Sequence, residues 1–152
     1  MTTTKKTSTT PAGSGFSEAE RAAMKDRAEE LKASGRAGAK KADNLRATLA
    51  KIAEMQDEDR VIAERVHAVV ARVAPELDAS TWYGMPAYRN ADGKIVCFFK
   101  AKDKFGERYA TLGFEGAARL DDGAMWPTSY ALTTMTAAEE KRIEELVRRA
   151  AG

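Results

Sequence analysis

The spacing of apolar residues changes once along this chain. Up to Val73 they recur every three or four positions, and beyond Pro75 they alternate every second position. "SEAERAAMKDRAEELKA", from Ser17, runs through good helix formers without Gly or Pro, and Ser17 with Glu20 makes a capping box. Its apolar residues are mostly Ala, with Met24 and Leu31 the only large ones, so the pattern predicts a peripheral helix. Leu45, Leu49 and Ile52 then recur at helical spacing. Asp57 is placed to cap a further helix whose Ile62, Val66, Val69, Val70 and Val73 face a core, ending near Pro75, which cannot continue the ladder.

After Pro75 the alternation predicts strands. "GKIVCFFKAKD" puts Ile95, Cys97 and Phe99 on one side and Val96 and Phe98 on the other, after an Asp92-Gly93 pair suited to a tight hairpin turn. "RYATLGF" sets Ala110, Leu112 and Phe114 against Tyr109 and Thr111. "MWPTSYAL" sets Trp126, Tyr130 and Leu132 against Met125 and Ala131. A second capping box, Thr136 with Glu139, opens a last helix carrying Ile143, Leu146, Val147 and Ala150. The order predicts an α+β fold, with an antiparallel sheet of about four strands flanked by N-terminal helices and a C-terminal helix. Pro86 and Pro127 fall in the first and last of these strands, which places them at edges or bends.

Three segments follow. Residues 1 to 15 hold Thr, Ser, Gly, Pro and Lys with little to bury, and are expected to form a disordered tail. Residues 16 to 43 read as a peripheral helix and linker, and residues 44 to 152 as a single α+β domain. Residues 1 to 56 carry a net +4 and the remainder a net −2, so the mild basicity belongs to the extension.

Overall the 152 residues are 43% hydrophobic and 32% charged with a net charge of +2, which supplies no global attraction to nucleic acid or an anionic membrane. Cys97 is the only cysteine, so no intrachain disulfide can form, as expected of a cytoplasmic protein. The N-terminus lacks an apolar export segment, and no run of about 18 apolar residues offers a membrane span.

Catalytic and metal signatures are sparse. One His and one Cys cannot build a Cys/His zinc site within a chain. Glu64-x-x-His67 matches one copy of a di-iron motif that needs two, and no Gly-x-Ser-x-Gly elbow or phosphate-binding Gly-Lys-Ser/Thr loop occurs. No catalytic residue, metal ligand or cofactor is therefore assigned, and the expectation is a non-enzymatic protein. Lys5-Lys6 and Lys40-Lys41 are too few for a phosphate track, and the RNA-binding sheet motif is missing. Acidic pairs such as Asp57-Glu58-Asp59 serve as readily for helix ends and turns as for a hard cation.

Aromatic residues remain as the candidate chemistry. Of eleven Phe, Trp and Tyr residues, all but Phe16 lie between Trp82 and Tyr130. Parity along "TWYGMPAYRN" puts Trp82, Gly84, Pro86 and Tyr88 on one side and Tyr83, Met85 and Ala87 on the other, with either side free to be the inner one. The strands thus offer large residues on both faces, more than one helical layer requires. The expected ligand-binding residues are Trp82, Tyr83, Met85, Tyr88, Phe98, Tyr109 and Trp126, taking a small apolar molecule or a second copy of the chain as a homodimer. An N-terminal extension folded over this face would account for the same residues equally well.

"TWYGMPAYRNADGKIVCFF", "RYATLGF" and "LDDGAMWPTSYAL", with the Thr136-capped helix, resemble the bacterial YdhG-like family of small domains of unknown function across roughly residues 44 to 150. Tyr83 to Pro86 carries the most specific part. The resemblance implies an α+β fold with flanking helices. Some members are labelled frataxin-like iron chaperones, which gives the alternative expectation of exchangeable iron on carboxylates such as Asp57, Glu58 and Glu64.

Overall fold

The computed structural model describes residues 15 to 34 and 41 to 152; residues 1 to 14 of the expected tail and 35 to 40 of the expected linker lie outside the described residues. The order is α1 (Glu18–Ser34), α2 (Lys41–Ala53), α3 (Asp57–Val73), β1 (Asp78–Trp82), β2 (Met85–Arg89), β3 (Ile95–Lys100), α4 (Lys102–Phe105), β4 (Ala110–Phe114), β5 (Ser129–Leu132) and α5 (Ala137–Ala151). The fold is α+β. Its five strands pair antiparallel in sequence order, β1-β2-β3-β4-β5.

A fifth strand arises because "TWYGMPAYRN" is a hairpin and not one strand. Trp82 pairs with Met85, and Tyr83 and Gly84 between them both have positive φ, 53° and 76°. Such a two-residue turn matches the right-handed twist of its strands. It also resets the parity expected from sequence, so that Trp82, Met85 and Ala87 share one face while Pro86 and Tyr88 take the other. Pro86 faces Thr81 in β1 but lies one residue outside the β2–β3 ladder, which begins at Ala87 opposite Phe98. An internal strand therefore tolerates it without losing a ladder bond. Pro127 precedes β5 and belongs to the connecting loop.

Tyr88, Cys97, Phe99, Leu112, Phe114 and Leu132 form the inner face, packed with Val66, Val69 and Val70 of α3 and Ile143, Val147 and Ala150 of α5. Tyr88 opposes Cys97 while Arg89 opposes Ile95, which leaves Val96 as an extra residue. This bulge turns Val96 into the core with Cys97, against strict alternation. Burial pushes the Cys97 thiol up to about 12, so it packs as a small protonated apolar group. Arg65 of α3 reaches the Met135 carbonyl at 2.6 Å and Glu140 at 2.9 Å, and so ties α3 to the start of α5.

Both capping boxes form, at Ser17 with Glu20 and at Thr136 with Glu139. α3 differs by one residue. Its N-cap is Gln56, and Asp57 sits in the first turn, where its charge faces the helix dipole. α2 starts at Lys41, inside the stretch expected to be linker, and lies against β1 and β2. Thr48 and Ile52 are its buried residues, while Leu45 and Leu49 are exposed. Its packing beside β1 shields an edge strand of the sheet.

Candidate functional site

The outer face of the sheet is where aromatic residues stay accessible. Phe98 of β3 lies across Gly113 of β4, where any Cβ would collide with its ring. Trp82 packs edge-on against Phe98 at 5.4 Å and against Tyr83 at 5.5 Å. With Met85 they form one wall of a cavity of about 540 Å³. The opposite wall is α1 and its approach, contributing Phe16, Ala23 and Met24, with Phe105 of α4 at one end. Phe16, Met24 and Tyr83 of the lining are 49%, 40% and 37% exposed, so the cavity is open to solvent.

Four of the seven expected residues therefore come together: Trp82, Tyr83, Met85 and Phe98. Three do not. Tyr88 is buried on the inner face, because the hairpin turn shifts its parity relative to Trp82. Trp126 lies on the loop before β5 and packs partly against the core. Tyr109 precedes β4 and carries Arg108 over its ring at 5.2 Å, away from the cavity lining.

α1 supplies the part that its sequence did not announce. Its apolar stripe is thin, with Ala23 its buried hydrophobic residue, and it is held mainly by polar contacts. The Glu30 carboxylate accepts the backbone N–H groups of Tyr83 at 3.0 Å and Gly84 at 2.9 Å. Asp26 accepts from Lys51 of α2 at 3.1 Å and from Lys104 of α4 at 2.8 Å. Burial would raise the Asp26 pKa, but the hydrogen bonds and charges of Lys104 and Lys51 outweigh it and hold the carboxyl below its usual 3.8. Phe16, the lone aromatic outside residues 82 to 130, was the available sequence signal for this wall.

On the inner side, the His67 Nδ1 and the Tyr88 hydroxyl are 2.9 Å apart. Burial depresses the His67 pKa below 6.5 and raises that of Tyr88, so both are neutral at pH 7. Buried Asp59 accepts the backbone N–H groups of Lys102 and Asp103 and anchors α4.

The carboxylates considered for iron are already engaged. Asp57 pairs with Arg60 at 2.9 Å, Glu64 lies 3.9 Å from the same Arg60, and Glu58 pairs with Lys102. Among the described residues, no group of three or more His, Cys, Asp or Glu side chains is placed to hold a metal ion. No described helix is long and apolar enough to cross a membrane. No protein-family model, curated protein or solved structure matches this chain.

Proposed function

We propose that this is a non-enzymatic cytoplasmic binding domain whose cavity between α1 and the outer sheet face takes a small apolar ligand. The observation that supports it is the convergence of Trp82, Met85, Phe98, Phe105 and Met24 on one open cavity of about 540 Å³. That volume lies within the range of roughly 300 to 1,000 Å³ usual for small-molecule sites, and aromatic walls are their common lining. Apolar burial supplies the affinity. Lys100, over the Phe105 ring at 5.1 Å and paired with Glu107 at 3.2 Å, supplies a polar group at the edge. The resemblance of Tyr83 to Pro86 to the YdhG-like domains belongs to the same proposal, as the hairpin that builds the cavity wall.

Trp82 and Trp126 are the only tryptophans, so a Trp126→Phe protein reports on the cavity through Trp82 alone. Titration with the neutral probe N-phenyl-1-naphthylamine should change Trp82 emission saturably. Met24→Glu, at an exposed helix position, should weaken binding by about tenfold or more, since a charge would have to be desolvated. Unchanged affinity in Met24→Glu would sink the reading. A concentration-dependent dimer that leaves no probe binding would replace the ligand with a second copy of the chain.

A further inference from the structure

Beside α1, and separate from the aromatic cavity, lies a second cavity of about 490 Å³ bounded by α1, α2 and the β1–β2 pair. Its character is different. Arg27 of α1 and Arg89 of β2 both line it, with Asn44 of α2 and Ser80 and Thr81 of β1 beside them. Among the described residues, the hydrogen-bond acceptors of Arg89 are neutral. Its Nε–H donates to the Ser80 hydroxyl at 2.8 Å and one terminal N–H to the Gly93 carbonyl at 3.0 Å. Among the described residues no carboxylate lies within ion-pair distance of it.

The surrounding carboxylates are committed elsewhere. Asp26 is shared by Lys51 and Lys104. Glu30 gives both oxygens to the turn at Tyr83 and Gly84, and its contact with Arg27 is long, 3.5 Å. Exposed Glu29 is the third carboxylate of the lining. Burial, followed by the charge of Arg27, lowers the pKa of Arg89, and the charge of Glu30 opposes them without cancelling them.

We propose that this cavity binds a small organic carboxylate, with its head on Arg89 and Arg27. A planar carboxylate matches the fork of a guanidinium and would relieve the repulsion between the two arginines. The Ser80 and Thr81 hydroxyls and the Asn44 amide offer further donors. Ala33 and Ala47 give an apolar wall for a short chain. A monoanion fits better than a phosphate dianion, because formal charges in the lining balance: Arg27, Lys51 and Arg89 against Asp26, Glu29 and Glu30.

The test is an amide NMR titration of the full chain with sodium hexanoate, with inorganic phosphate and sodium chloride run at matched ionic strength. Hexanoate should give saturable shifts at Asn44, Ser80 and Thr81. Arg89→Gln should weaken it by about tenfold or more, the loss expected of a charge-assisted pair. Arg27→Gln, on the helix surface, should weaken it in the same direction and guards against loss of folding in the Arg89 variant. Arg46→Gln, outside the cavity, should leave it unchanged. Non-saturating shifts, shifts equal to those of chloride or phosphate, or unchanged affinity in both cavity variants would overturn the proposal. So would shifts centred on Trp82 and Phe98, which would assign hexanoate to the aromatic cavity and leave that reading standing.

Discussion

Glu30 of α1 accepts a hydrogen bond from the backbone N–H of Gly84 at 2.9 Å, across 54 residues of chain. The same carboxylate takes the N–H of Tyr83, so one side chain holds both residues of the left-handed turn and fixes α1 over the sheet. Charge-assisted bonds of this kind contribute about 1.5 to 3 kcal/mol when partly shielded. Glu30→Ala, which removes both, should therefore cost about 2 to 3 kcal/mol by urea denaturation. Amide exchange at Tyr83, Gly84 and along α1 should quicken well before exchange in α3 and α5. Uniform acceleration across the whole domain would mean that α1 is not an independently released element.

Gly84 meets two demands at once. Its φ is 76°, and an added Cβ would collide with the Asp26 carboxylate and the Lys104 ammonium that pair above it. Gly93 also has a φ of 76° but faces open space. Gly93→Ala should cost about 1 kcal/mol for the backbone alone, and Gly84→Ala clearly more, because the ion pair must also move. Equal costs in urea denaturation would show that the Asp26–Lys104 pair yields freely.

The Asp26 carboxyl titrates below its unfolded value of 3.8. A depressed folded pKa means that the unfolded chain binds the proton more readily, so the stabilisation is complete above 3.8 and is lost as pH falls through the lower folded value. The melting-temperature difference between wild type and Asp26→Asn should be largest at neutral pH. It should shrink steadily below about pH 4. A difference that is constant down to pH 2 would remove the ion pairs as its origin.

His67 and Tyr88 give the opposite end of the scale. Burial lowers the His67 pKa, so the unfolded state takes up the proton first and stability should fall as pH drops below 6.5. Tyr88→Phe keeps the buried ring but leaves the His67 nitrogen without its partner, at a cost of about 1 kcal/mol. In His67→Gln the slope of stability against pH just below 6.5 should flatten, as measured by denaturation at stepped pH. A slope unchanged by that substitution would assign it to other groups.

Asp59 anchors α4 by accepting the N–H groups of Lys102 and Asp103 at 3.2 and 3.0 Å. Asp59→Ala would leave two donors unmet and should cost about 2 kcal/mol. Since Phe105, which lines the aromatic cavity, rides on α4, the same variant should also weaken binding of the naphthylamine probe. Stability lost with probe binding intact would separate α4 from the aromatic cavity.

What the sequence determined by itself is the local part of the fold. Helical spacing in Ile62 to Val70, the two capping boxes, the stop at Pro75 and the alternation in Ala110 to Phe114 all act over a few residues and are visible as such. Tyr83 and Gly84 were legible only as a motif. Their left-handed turn, which divides one expected strand into two and sends Trp82 and Tyr88 to opposite faces, rests on support from Glu30. The placement of α1 was hidden for a related reason. A helix with few large apolar residues reads as peripheral, yet Asp26 and Glu30 hold it through partners as far as 78 residues away. Periodicity records which side of an element is apolar; it cannot record which distant lysine or backbone N–H will meet a carboxylate, because that depends on the finished packing of α1, α2, α4 and the first hairpin.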